Sequence, residues 1–142
     1  MTTLEIEAVR EDHAHLREHV EHIRLAASEI PRLSPEEREK LVGRILDFLR
    51  NTLLPHADEE ERTVYREVAK RLGRPEATAP MTHDHVAIRI RTVQLSTTGG
   101  DEVDRLQELL YGLYALISVH FWKEEQLYLP LIGPSVLPVF DG

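Results

Sequence analysis

Apolar residues recur along most of the chain at spacings of three and four, the signature of amphipathic helices. In the first segment the stripe is Ile6, Val9, Leu16, Val20, Ile23 and Ala27. In the second it is Val42, Ile45, Leu46, Leu49 and Leu53. In the third, Met81, Ile88, Thr92 and Leu95 share a face. In the fourth, Leu106, Leu109, Leu113, Leu116, Leu127 and Leu131 do so. Breakers separate these stretches. The first helix is expected over about 3–30 and stops at Pro31. The second, over about 35–71, opens with Ser34 as N-cap, Pro35 at the first position and Glu37 completing a capping box. Pro55 lies inside it and should kink or split it. Gly73–Pro80 reads as a loop. The third helix covers about 81–97, Gly99-Gly100 breaks the chain again, and the fourth covers about 102–129 before Pro130. The tail 131–142, with Pro134 and Pro138, reads as irregular. No stretch alternates with period two, so no strand is expected. Four amphipathic helices on short loops predict an all-α, antiparallel up-down four-helix bundle, one domain over residues 1–142.

Polar residues interrupt every stripe at its centre. At about 100° per residue, His13 fills the gap between Val9 and Leu16. His56 and Glu60 continue the inward face of the second helix, His85 sits between Met81 and Ile88, and His120 and Glu124 lie inside the leucine face of the fourth. These positions form an internal repeat. Val9-x-x-Asp12-His13-x-x-Leu16-Arg17 resembles Met81-x-x-Asp84-His85-x-x-Ile88-Arg89. His56-x-x-x-Glu60-Glu61 resembles His120-x-x-x-Glu124-Glu125. Such a repeat predicts two like half-sites around a pseudo-twofold axis.

Composition narrows the chemistry. The chain has 142 residues, 42% of them hydrophobic, enough for a core without staples. It has no cysteine, which excludes disulfides, thiolate metal sites and a cysteine nucleophile. Its 25 acids against 17 bases give a net charge of −8, unsuited to nucleic acid or an anionic membrane. No run approaches the roughly 20 apolar residues of a membrane span. The polar start MTTLEIEAVREDH does not read as a signal peptide, so a cytoplasmic protein is expected.

Eight histidines are many for this length, and four of them point inward with two glutamates. Buried carboxylates are costly unless paired or bound to metal, so this layer asks for a cation. His and Glu four apart lie one turn apart on one face and reach one ion or adjacent ions. Imidazole and carboxylate without thiolate suit iron, manganese or zinc. On the usual bundle layout, two bridging Glu and four terminal His supply about eight of the twelve bonds of two octahedral ions, leaving room for a small ligand.

The segments Asp12-His13-x-x-Leu16, Leu54-Pro55-His56-Ala57-x-Glu59-Glu60, Asp84-His85-x-x-Ile88 and His120-x-x-x-Glu124-Glu125-x-x-Tyr128-x-Pro130, in this order, resemble the hemerythrin-like, or HHE cation-binding, family. The resemblance spans essentially the whole bundle. It implies a non-haem centre of two iron ions with an oxo or hydroxo bridge, held by His13, His56, Glu60, His85, His120 and Glu124. It implies a small-molecule partner (hydrogen peroxide, dioxygen or nitric oxide) and, as in small stand-alone members, catalase-like decomposition of peroxide. The other reading is a sensor or store for dioxygen, nitric oxide or iron without turnover. The chain departs from the oxygen-carrying hemerythrins. The position four after His85 is Arg89, not histidine, and helix four carries H-x3-E where the carriers use a longer spacing to Asp.

Other residues carry alternatives. His83 lies about 160° around from His85 and would replace it as ligand if the helix began late or in a tighter turn. Tyr128, one turn beyond Glu124, is either a catalytic hydroxyl that binds peroxide or donates a proton, or a core residue. His15, His19 and His22 lie together off the core face, as a solvated face, a surface metal site or a pH-sensitive interface. Glu61, Glu125, Asp12 and Asp84 are solvated or hydrogen-bond to ligand histidines. Arg17 and Arg89 line an entrance or snorkel. Trp122 points outward, and a monomer or weak dimer is expected, with no nucleic-acid or membrane partner.

Overall fold

The computed structural model describes residues 1–133. The expected tail therefore falls, beyond Gly133, outside the described residues. Within them the chain is an all-α four-helix bundle without strands. Helix α1 spans Thr3–Glu29. Its first turn is closed by a capping box in which Thr2 accepts from the Glu5 amide and Glu5 from the Thr2 amide. A 3₁₀ turn, Ile30–Arg32, leads to α2, Pro35–Phe48, which opens on the expected Ser34–Glu37 capping box.

The second leg is broken twice. A π turn, Leu49–Leu53, precedes α3, Leu54–Arg62, and places Pro55 at the second position of α3. The wide turn lets the Leu54 amide bond to Leu49 rather than to the carbonyl one residue later. A second break follows at Thr63, with φ −116° and ψ −75°, before α4, Val64–Leu72. No glycine or proline marks that break. There the Thr63 hydroxyl donates to the Glu59 carbonyl at 2.8 Å, competing for the helix ladder. Gly73, at φ +68°, ends the leg in the left-handed conformation that glycine adopts without strain.

Helix α5, Ala79–Ser96, follows a 3₁₀ turn, Pro75–Thr78. Helix α6 spans Val103–Lys123 and runs into a second π turn, Glu124–Tyr128, and a final helix α7, Leu129–Ile132. The fourth leg thus continues past Pro130, which takes the second position of α7 as Pro55 does in α3. The extra residue in the π turn also corrects the expected leucine face. Leu127 and Leu131 are exposed, and Leu129 and Ile132 are buried in their place.

Buried apolar side chains fall into two clusters. The larger includes Leu16, Val20, Ile23, Ile45, Leu49, Leu95, Leu110, Leu113, Ile117 and Phe121. The smaller comprises Ile6, Val64, Tyr65, Val68, Met81, Leu129 and Ile132. The buried polar residues His13, Glu60, His85, His120 and Glu124 belong to neither cluster. On α1 and α5 the histidine lies between the residues of one cluster and those of the other. The far end is pinned by Arg38, which donates to the carbonyls of Ile30 at 2.8 Å and Gly100 at 3.0 Å. A Cβ on Gly100 would stand 2.5 Å from the Pro35 carbonyl oxygen, so the loop approaches α2 as only glycine permits. No described helix is long and apolar enough to cross a membrane.

Candidate metal centre

All six inward-pointing residues meet in this layer. His13 comes from α1, His56 and Glu60 from α3, His85 from α5, His120 from α6, and Glu124 from the first position of the π turn. Their ligand atoms form two overlapping groups. Glu60, His85, His120 and Glu124 make one; His13, His56 and Glu60 make the other. Within each group the atoms lie within 4.8 Å of one another. Glu60 belongs to both.

The contacts are those of donors gathered for a cation. His120 Nδ1 lies 2.9 Å from Asp84 Oδ2, and a carboxylate can only accept, so Nδ1 carries the proton. The neutral ring then presents a lone pair at Nε2. That atom faces Glu124 Oε1 at 2.8 Å and His85 Nε2 at 3.1 Å. Across the layer His13 Nε2 lies 2.8 Å from Glu124 Oε2 and 3.2 Å from Glu60 Oε2. Buried acceptors this close repel unless a proton or metal stands among them. Ligand atoms about 2.1 Å from an ion and at right angles lie about 3.0 Å apart, close to these separations. His56 Nε2 is buried without a hydrogen-bond partner, as an atom reserved for a metal would be.

Without a cation, protons take its place. Burial alone would depress His13, but its bonds to Glu124 and Glu60 carry its pKa up to about 10. His120 is likewise opposed by burial and raised to about 9 by Asp84 and Glu124. Burial pushes Glu60 up, yet His13, His56 and His85 hold it well below the usual carboxylate range.

Carboxylates stand behind three of the imidazoles. Glu125 Oε1 lies 3.4 Å from His13 Nδ1, and Glu61 Oε2 lies 3.4 Å from His85 Nδ1, so the residue after each cluster glutamate crosses to the other repeat. Arg17 pairs with Glu125. Asp84 is held low, against its burial, by His120 and Lys123, the Lys123 ammonium standing at 2.6 Å. Phe121 stacks on the His13 ring at 4.7 Å.

His83 is exposed and His85 buried, so the regular start of α5 puts only His85 at the cluster. Tyr128 is half-buried. Its hydroxyl donates to the Ala77 carbonyl at 3.3 Å, because the π turn rotates it off the line of His120 and Glu124. The tyrosine at the cluster is Tyr65, which the sequence reading passed over. Its hydroxyl donates to Glu124 and lies 3.0 Å from His120 Nε2 and 3.2 Å from His85 Nε2. On a continuous helix, position 65 would lie about 140° from Glu60; the break at Thr63 turns it inward. Burial, with Glu60 and Glu124 beside it, raises its pKa and keeps the phenol protonated. Beside the cluster lies a void of about 10 Å³, lined by Leu53, Ala57, Ile88, Ile117 and Phe121, with room for about one water-sized molecule.

A bundle with a buried layer of imidazoles and carboxylates is a metal-binding bundle by its donor set. The hemerythrin HHE cation binding domain matches residues 4–132, and the chain belongs to that family. The family binds metal ions, typically iron, and the His/Glu cluster is where this chain could hold one. Comparison with curated proteins and with solved structures gives no match.

Proposed function

We propose that this chain is a non-haem di-iron protein that decomposes hydrogen peroxide to dioxygen and water, with dioxygen and nitric oxide as competing ligands. The observation that carries this reading is the pair of donor groups joined at Glu60 with a protonated phenol among them. His13 and His56 would hold one iron, His85 and His120 the other, and Glu60 and Glu124 would lie between. The irons, when bound, supply Lewis acidity and redox capacity. Two peroxides react; one is oxidised to dioxygen and the other reduced to water, so no outside reductant enters.

The chain's own residues do the rest. Tyr65 holds a proton on its hydroxyl, aimed at Glu124, and can give it up and take it back during turnover. Asp84 fixes the orientation of the His120 ring, and Glu125 and Glu61 stand beside the Nδ1 atoms of His13 and His85. The void beside the donors has room for about one water-sized molecule, so bulky substrates do not fit there. Iron, rather than manganese or zinc, comes from the family.

An oxygen electrode tests the proposal. Iron-loaded protein given peroxide should release half a mole of dioxygen per mole of peroxide consumed, without haem or reductase. A lasting new absorption band with no gas would replace turnover by ligand binding alone.

A further inference from the structure

The six cluster side chains are not equally enclosed. For His13, Glu60, His85, His120 and Glu124, no more than 4% of the side chain is exposed, whereas His56 shows 18%. Among the described residues His56 is therefore the cluster's contact with solvent. It faces a cavity of about 220 Å³ lined by Asp12, His15, Leu16, His19 and Thr52. Asp12, His15 and His19 are spaced by three and four, so they form one stripe on α1 pointing along this cavity. Thr52 comes from the π turn just ahead of His56.

The repeat sharpens the contrast. Asp84, the counterpart of Asp12, is tied to His120 and Lys123 and closes its half of the layer. Asp12 makes no hydrogen bond or ion pair among the described residues and is exposed. On the far side of His19 a second cavity, about 420 Å³, also touches His22 and Arg44. The guanidinium of Arg44 makes that side the poorer approach for a cation.

Resting on the di-metal reading above, we propose that the Asp12–His15–His19 stripe is the way in for the metal ions. A divalent cation is drawn to the carboxylate and imidazoles of this stripe and is delivered from the cavity they line to His56. A carboxylate followed by two imidazoles suits a borderline transition metal, and it serves a small neutral ligand no better than any other polar wall. The stripe takes no part in the final coordination, so it sets the rate of loading and not its end point.

The test follows cobalt(II) uptake by the full-length, chelator-stripped chain, using visible absorption in a stopped-flow instrument and total metal by mass spectrometry. The H15Q/H19Q variant should reach the wild-type end point, with uptake slowed roughly tenfold, the scale on which local charge and ligands raise cation on-rates. A second variant, Thr52→Trp, should slow uptake by obstruction while leaving His15 and His19 in place. Uptake at the wild-type rate in both variants would overturn the proposal. So would a lowered end point in H15Q/H19Q, which would make these histidines part of the binding site. A wild-type chain that takes up no cobalt or iron would instead bring down the di-metal reading itself.

Discussion

Asp84 and Asp12 hold matching places in the two Asp-His segments, but only Asp84 reaches a cluster histidine. The Asp84 carboxylate fixes the His120 tautomer and leaves Nε2 bare for a metal. Asp84→Asn should therefore weaken metal binding about 10- to 100-fold, read by competition with a chromophoric chelator. Unchanged affinity would show that the tautomer is set elsewhere. Tyr65 makes a different prediction. Tyr65→Phe keeps the ring and its stacking on His85 but removes the hydroxyl. Iron content should hold, while dioxygen release falls on the order of a hundredfold, the usual weight of a proton-transfer group. Equal turnover by the two proteins would remove Tyr65 from proton transfer. The matching position in the second repeat is Leu129, so the repeat itself gives no hint of a tyrosine at 65.

At the scale of the element, the helix irregularities decide what the sequence reveals. His13 and His85 were legible because each lies on an uninterrupted stretch of helix, and the His56–Glu60 and His120–Glu124 pairs because each spans one regular turn, Glu124 standing where the π turn begins. Residues inside that π turn, or past it or past Thr63, were not. Tyr128 and Leu127 lie within the π turn, and Leu131 beyond it, so a 3.6-residue period misplaces them. Tyr65 follows Thr63, where a threonine with no breaker beside it ends one helix and starts another. Pro55 and Pro130 announce that something must change nearby, but not that the change is a widened turn ahead of each. This register has a direct check. Leu129→Ala should cost about 2–5 kcal/mol in urea unfolding, and Leu127→Ala less than about 1 kcal/mol. The reverse order would restore the regular helix. At the opposite end, Gly100→Ala should destabilise by roughly 1–3 kcal/mol, because Pro35 backbone stands where the methyl would go. The same substitution at Gly112, where nothing lies within 4 Å, should be neutral or stabilising.

At the scale of the whole molecule, two glutamates and four histidines stand where a regular bundle would put leucine. The four-helix architecture was readable from breakers and stripes because each leg buries one face against the others. The polar layer has the opposite effect on stability, since its carboxylates lose water without gaining enough partners. A cation restores the balance and also links α1, α3, α5 and the α6 leg at one point. The metal-loaded chain should accordingly melt several degrees above the stripped chain, since a ligand held only by the folded state stabilises it. Identical melting curves would mean that the layer is satisfied by protons alone.

On the proposed reading this layer holds two irons. The metal content and near-ultraviolet spectrum of the chain purified from iron-replete cells decide the matter. About two irons per chain are expected, the number that two donor groups sharing Glu60 would hold, with charge-transfer absorption lost in Glu60→Ala. A colourless protein with zinc or no metal would contradict it.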